Sequence, residues 1–201
     1  MLIAKANIDN SIEIFRRASL KSEPVIFSTD TIYGIGAPLS DMAANEKIFE
    51  IKGRDKSKPF PVLIATSEQL SEVAIVETKT QRQIIDKVWP GPVTLILKVK
   101  EGINDLFTVN GTIAVRMPEK KWLRELLKHT GAMSATSANP AEVDYVNDEQ
   151  HICKTFNNRV KFFLFDNNVE TLSSSIIDLS NDQPTIIRAG ENLSIIKKII
   201  S

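Results

Sequence analysis

Short apolar runs that break off on polar residues constrain this chain more than any other feature. Val25-Ile26-Phe27 runs into Ser28, Thr29, Asp30 and Thr31. Ala132 and Met133 lead into Thr136, Ser137 and Asn139, and Thr185-Ile186-Ile187 leads into Arg188 and Gly190. Phe60 to Ala65, Val93 to Val99, Thr112 to Met117, Phe162 to Phe165 and Ser173 to Leu179 have the same character. Runs this short and this apolar read as buried strands. Segments of helical spacing separate them, and that alternation predicts one layered domain of α/β type over residues 1–201. Where several strands end in ligand-capable side chains, a single cleft shared by those ends is the economical arrangement.

The helices announce themselves by caps and stripes. Asn7 or Asp9 caps a first helix carrying Ile8, Ile12 and Phe15, and Pro24 ends that region. A second helix spans about Asp41 to Ile51. Thr66 with Gln69, and Thr78 with Gln81, are capping-box starts. The Thr78 helix carries Ile84, Ile85 and Val88 and stops at Trp89-Pro90-Gly91-Pro92. Trp122, Leu123, Leu126 and Leu127 mark an amphipathic helix ending near Gly131. Asn147 with Gln150 starts another, and Leu193, Ile196 and Ile199 or Ile200 mark a C-terminal one. Lys100 to Asn110 reads as a loop, and Gly34, Gly36 and Pro38 as turn residues beyond the Val25 strand.

Between the second helix and the Phe60 run lies Lys52-Gly53-Arg54-Asp55-Lys56-Ser57-Lys58, with four cations and one anion in seven residues. On a rigid frame these cations repel one another until an anion arrives, and a polyphosphate is the obvious one. A solvated surface loop would carry the same charges. Arg116, at the end of an apolar strand, also demands a partner, either a ligand or a structural carboxylate.

Composition narrows the classes. Lysine plus arginine and aspartate plus glutamate stand at 25 each, which argues against a dedicated nucleic-acid coat. Cys153 is the only cysteine, so no intrachain disulfide or cysteine zinc site can form, as expected in a reducing compartment. No apolar run has the length of a membrane span or the form of a signal peptide, so a cytoplasmic, membrane-free protein is expected. There is no G-x-x-x-x-G-K-[ST] loop and no G-x-G-x-x-G fingerprint. His129 and His151 are the only histidines and neither has metal-ligand company, so no metal site is expected. The chemistry indicated is electrostatic, with cations and hydrogen-bond donors holding a phosphate-bearing substrate.

S-T-D-T-I-Y-G-I-G, K-G-R-D-K-S-K-P, W-P-G-P-V-T, T-I-A-V-R-M-P, T-S-A-N-P, S-S-I-I-D-L and I-I-R-A-G occur in that order along nearly the whole chain. Together they resemble the YrdC-like family, whose best-known members are L-threonylcarbamoyladenylate synthases. The resemblance implies an α+β, YrdC/RibB-like fold: a twisted mixed sheet flanked by helices, with a large positively charged cleft. It implies that L-threonine, bicarbonate and ATP give threonylcarbamoyl-AMP and pyrophosphate. Partner proteins would then pass the threonylcarbamoyl group to tRNA. Magnesium would come with ATP, without a tightly bound cofactor, and weak RNA contact is compatible with the cleft. The length resembles the short, single-domain bacterial form.

The family's K-x-R falls on Lys52 and Arg54 and its S-x-N on Ser137 and Asn139, which the resemblance makes the catalytic residues. Lys52, Arg54, Lys58, Thr112, Ala138, Asn139 and Arg188 would hold the nucleotide. Thr31, Tyr33, Arg116, Ser137 and Ser174 would hold threonine and its carbamate. The pattern departs from the commonest one at Ser28, Leu63, Glu142, Ser175 and Ala189, in place of proline, histidine, glycine, threonine and proline. Two other classes compete. One is a non-catalytic paralogue binding tRNA or double-stranded RNA in the same cleft; the other is a carbamoyl-phosphate-using enzyme, usually a longer chain.

Overall fold

The computed structural model describes residues 1–166, 172–181 and 183–190. The strands are β1 (Leu2–Lys5), β2 (Val25–Ser28), β3 (Tyr33–Pro38), β4 (Val62–Leu63), β5 (Ala74–Ile75), β6 (Val93–Val99), β7 (Thr112–Arg116), β8 (Met133–Ser137), β9 (Phe162–Phe165), β10 (Ser175–Asp178) and β11 (Thr185–Arg188). The helices are α1 (Ile8–Ser19), α2 (Met42–Lys52), α3 (Ser67–Val73), α4 (Lys79–Val88), α5 (Lys121–Thr130) and α6 (Glu149–Phe156). The sheet order is β1-β9-β2-β3-β8-β4-β7-β6-β10-β11, with β5 paired to β6. The pairs β1–β9, β2–β9, β4–β7 and β6–β10 run parallel, among antiparallel neighbours. This is the mixed sheet with flanking helices that the family resemblance implied.

Side-chain alternation assigns the faces. Along β2, Val25 and Phe27 point to one face and Ile26 to the other; along β9, Phe162 and Leu164 oppose Phe163 and Phe165. Helices α1 and α5 cover the first face with Ile14, Phe15, Leu123, Leu126 and Leu127. Helices α2 and α6 cover the second with Ile48, Phe49, Ile152 and Phe156. In the other half of the sheet, α3 and α4 pack Leu70, Val73, Ile84 and Val88 on Val62, Leu95, Ile113, Val115 and Ile177. On the opposite face the cluster formed with α5 extends to Leu63 of β4, and beyond it β7, β6 and β10 form the floor of a cleft.

Local chemistry explains where the elements differ from expectation. Asn7 is the α1 cap, accepting from the Asn10 N–H, and Asp41 caps α2. Thr78 and Gln81 make the full capping box, but the Gln69 carboxamide reaches one residue further, accepting from the Ala65 N–H at 2.7 Å. Asp148, one residue beyond Asn147, caps α6. The Phe60–Ala65 strand shrinks to Val62–Leu63, because Pro59 and Pro61 offer no N–H and Ala65 turns its own to Gln69. A short 3-10 turn, Asp105–Phe107, interrupts the Lys100–Asn110 loop. The C-terminal helix expected on Leu193, Ile196 and Ile199 or Ile200 lies outside the described residues.

The largest correction is β3. Tyr33 to Pro38, expected as a turn, is a fully buried strand between β2 and β8. Its glycines serve close packing: a Cβ on Gly36 would sit 2.1 Å from the Ser134 carbonyl oxygen. Gly36→Ala should therefore cost about 3 kcal/mol or more of stability, measured as a lowered urea midpoint with an unchanged m-value.

Candidate functional site

Strand register builds the cleft floor. Leu63 on β4 lies opposite Arg116 on β7, and the next step of the β6–β7 ladder sets Arg116 beside Thr94. Thr94 faces Ile176 on β10, and Ile176 faces Arg188 on β11. Residues directly across a ladder point to the same side. The five therefore form one transverse row, and all of them line a cleft of about 410 Å³. Thr29, Thr31, Arg54, Ser137, Tyr145 and Ser174 stand in its walls. Three arginines and no carboxylate face it among the described residues.

Arg116 is 5% exposed and is answered from the turn after β2. Its Nη2 donates to Asp30 Oδ1 at 2.7 Å and its Nη1 to the Thr31 hydroxyl at 2.8 Å, while Nε is buried without a partner. Burial pushes the Arg116 guanidinium down, and Asp30 opposes that shift. Thr29 shapes the turn by accepting from the Thr31 and Ile32 N–H groups. Across the row, Arg188 donates twice to the Ser174 carbonyl, at 2.7 and 3.0 Å, and the Ser174 and Thr94 hydroxyls meet at 2.9 Å. Desolvation, then repulsion from Arg116, lowers the Arg188 guanidinium. Arg54 lies 5.3 Å from the Phe60 ring centroid, and its Nε donates to the Lys58 carbonyl at 2.9 Å.

The basic stretch is divided between interior and solvent. Lys52 closes α2, with Gly53 left-handed behind it, and is only 4% exposed. Its ammonium donates to the Ser137 and Asn139 carbonyls, and its own carbonyl accepts from the Ala141 N–H. Burial, then Arg54, pushes Lys52 down to about 7. Lys56 and Lys58 point to solvent. The expected close-set cluster of cations is thus two inward residues and two outward ones, because the helix end turns Lys52 toward β8.

Of the residues singled out from the sequence, Thr31, Arg54, Arg116, Ser137, Ser174 and Arg188 line the cleft together. Lys52 and Asn139 stand behind Ser137: Asn139 accepts from Lys52 and donates to the Val143 carbonyl. Ala138 packs in the core behind β3. Thr112 is on the cleft face of β7, one pleat beyond Ala114, with its hydroxyl turned to the Val109 carbonyl. The Lys58 side chain is exposed. Tyr33 points away, giving its hydroxyl to Glu149 Oε1 at 2.9 Å. Sequence reasoning passed over Tyr145, whose only signal was a lone aromatic in the polar segment 141–148.

The site is an open sheet face edged by arginines. The Sua5/YciO/YrdC family model, described as "Telomere recombination", matches residues 18–190, and the chain belongs to that family. It is 31% identical over 169 residues to a threonylcarbamoyl-AMP synthase of Pyrococcus abyssi, covering 83% of this chain and 50% of that one. A Bacillus subtilis protein of the same name is 28% identical over 187 residues, covering 90% and 54%. The chain thus spans about half the length of these curated relatives. P. abyssi Sua5 solved with L-threonine matches with a TM-score of 0.87 at 28% identity, over 100% of this chain and 60% of that one. Escherichia coli YciO shares the fold, with a TM-score of 0.82 at 22% identity over 94% of each chain.

Glu142, where the family pattern favours glycine, has a φ of 60°. A side chain there is strained. Glu142→Gly should raise stability by about 1 kcal/mol, read as a higher melting temperature.

Proposed function

We propose that this protein condenses L-threonine, bicarbonate and ATP to threonylcarbamoyl-AMP and pyrophosphate. The observation that carries this reading is the transverse row, in which two arginines bracket hydroxyl and apolar side chains on an open sheet face. Added to Arg54, it makes a positively charged cleft with separate places for two anionic groups. The names of the relatives and the L-threonine complex of Sua5 support reading those groups as the amino-acid carboxylate and the nucleotide phosphates.

In this reading Arg116 takes the threonine carboxylate through guanidinium hydrogens that Asp30 and Thr31 leave free. Thr31 and Ser174 border the amino acid, and Ser137 the carbamate. The threonine amine attacks bicarbonate, forming a C–N bond and releasing water. A carbamate oxygen then attacks the α-phosphorus, and the bond to the β-phosphate breaks to release pyrophosphate. Arg54, Lys52 and Arg188 neutralise the phosphates and hold the reactants together, which is most of what such a transfer requires. Lys58 supplies long-range attraction at the rim. Thr112, Ala138 and Asn139 act at second hand, through the edge and backing of the nucleotide site. Magnesium enters on the triphosphate as part of the substrate. Among the described residues no helix is long and apolar enough to cross a membrane. We place the reaction in the cytoplasm, where tRNA-modifying proteins would take the product.

Pyrophosphate release should require threonine and bicarbonate together. It should drop by about 100-fold or more in Lys52→Ala and Arg54→Ala proteins with unchanged circular dichroism. No release under any combination, with tight, salt-sensitive RNA binding instead, would replace this reading with the RNA-binding one.

Lys52 adds a pH signature. Its pKa of about 7 lies below the ordinary 10.5, so above pH 7 a growing fraction is neutral and an incoming anion must draw in a proton. Affinity for inorganic tripolyphosphate should fall by up to about 10-fold per pH unit above pH 7, and Lys52→Met should flatten that slope.

A further inference from the structure

The α2 helix ends at Lys52, and every carbonyl of its last turn has found a donor. The final carbonyls of a helix have no partner within it, so each must be answered from elsewhere. The Phe49 carbonyl accepts from the Arg54 N–H at 3.0 Å and the Glu50 carbonyl from the Gly53 N–H at 3.2 Å. The Lys52 carbonyl accepts from the Ala141 N–H at 2.7 Å. The Ile51 carbonyl falls to a side chain: Arg159 Nη1 donates to it at 2.9 Å. The other donors are backbone groups, so Arg159 is the contact that a substitution can remove.

Arg159 lies in the loop between α6 and β9 and takes no part in the cleft lining. It is held in place on its own side. Its Nη2 donates to the Thr155 carbonyl at 2.8 Å, and its guanidinium lies 5.3 Å from the centroid of the Phe156 ring, itself fully buried. The planar fork therefore joins the end of α6 to the end of α2. Its charge also faces the negative end of the α2 dipole.

The winding of that last turn decides where the Lys52 ammonium goes. Lys52 reaches the Ser137 and Asn139 carbonyls only while α2 keeps its helical path to its final residue. Taking an ammonium out of water is costly, so an unwound turn would release it to solvent. Arg54 is the charged neighbour acting on it, and the segment 137–141 presents only neutral groups. We propose that Arg159 is a positioning residue for Lys52, keeping the last turn of α2 wound and its ammonium directed at the end of β8. What that ammonium does for phosphates rests on the synthase reading; its placement does not.

The titration of Lys52 reads its placement directly, followed by the 13Cε shift in ligand-free, lysine-labelled protein. Burial, then Arg54, holds Lys52 down at about 7. An ammonium returned to water regains its ordinary, higher pKa. Arg159→Leu should therefore raise the midpoint by about one pH unit or more in a protein that still unfolds cooperatively. Arg159→Lys keeps a donor and the charge and should titrate close to wild type. The rise should persist at high salt, where the mere loss of an exposed charge would be screened. Calorimetry at about pH 6, with the amine charged in both proteins, supplies the second arm. There Arg159→Leu should weaken inorganic tripolyphosphate by about 10-fold and leave L-threonine binding unchanged. An unmoved Lys52 midpoint in folded Arg159→Leu, or a rise abolished by salt, would overturn the positioning role. Wild-type protein that releases no pyrophosphate would remove the synthase reading instead and leave the titration result standing.

Discussion

A guanidinium buried in a sheet has to be answered from close by, and the answer given to Arg116 organises this site. The cost of taking such a charge out of water is several kcal/mol, recovered only with good geometry and satisfied protons. Asp30 and Thr31 supply it, and the Glu119 N–H holds the other oxygen of Asp30 at 2.9 Å. The turn after β2, the end of β7 and the approach to α5 are thereby fixed to one another. Arg116 can then keep its charge at the cleft floor with guanidinium hydrogens still uncommitted. A ligand carboxylate arriving there meets a cation already positioned, so little reorganisation remains to be done at binding.

Lys52, buried behind Ser137, shows the opposite strategy. No carboxylate answers it among the described residues; two backbone carbonyls do. Carbonyls orient an ammonium without neutralising it, and burial, then Arg54, pushes its pKa down to about 7. The two sites differ in a useful way. Arg116 is permanently charged and paired, suited to a single carboxylate. In the proposed reading Lys52 and Arg54, which repel one another, gain most from an anion of higher charge such as a polyphosphate.

Much of this was legible in the sequence, for identifiable reasons. Strands buried on both faces, such as Val25-Ile26-Phe27 and Phe162 to Phe165, are near-continuous apolar runs. The α4 and α5 helices show their caps or stripes. The polar residues that end strands were the signal for the cleft, and Thr31, Arg54, Arg116, Ser137, Ser174 and Arg188 converge there. What failed to show was tertiary. Glycines in β3 mimic a turn locally, and only the close approach of Ser134 explains them. Tyr33 and Thr112 belong to the right segments, but strand pleat and helix contacts turn their hydroxyls elsewhere. Lys52 reads as loop because charge dominates its neighbourhood, yet one residue more of α2 rotates it inward.

The open face itself follows from a conflict that sequence periodicity cannot express. One side of β4, β7, β6 and β10 is sealed by α3 and α4, and the other alternates arginine, threonine and apolar residues. A helix packed on that second side would bury Arg116 and Arg188 together with no second carboxylate to pair them. Leaving it open avoids that penalty in the free protein and leaves both guanidinium groups facing the cleft. The feature that would have weakened a packed core is thus the one on which the proposed binding site rests, and Asp30 is what keeps it compatible with a stable sheet.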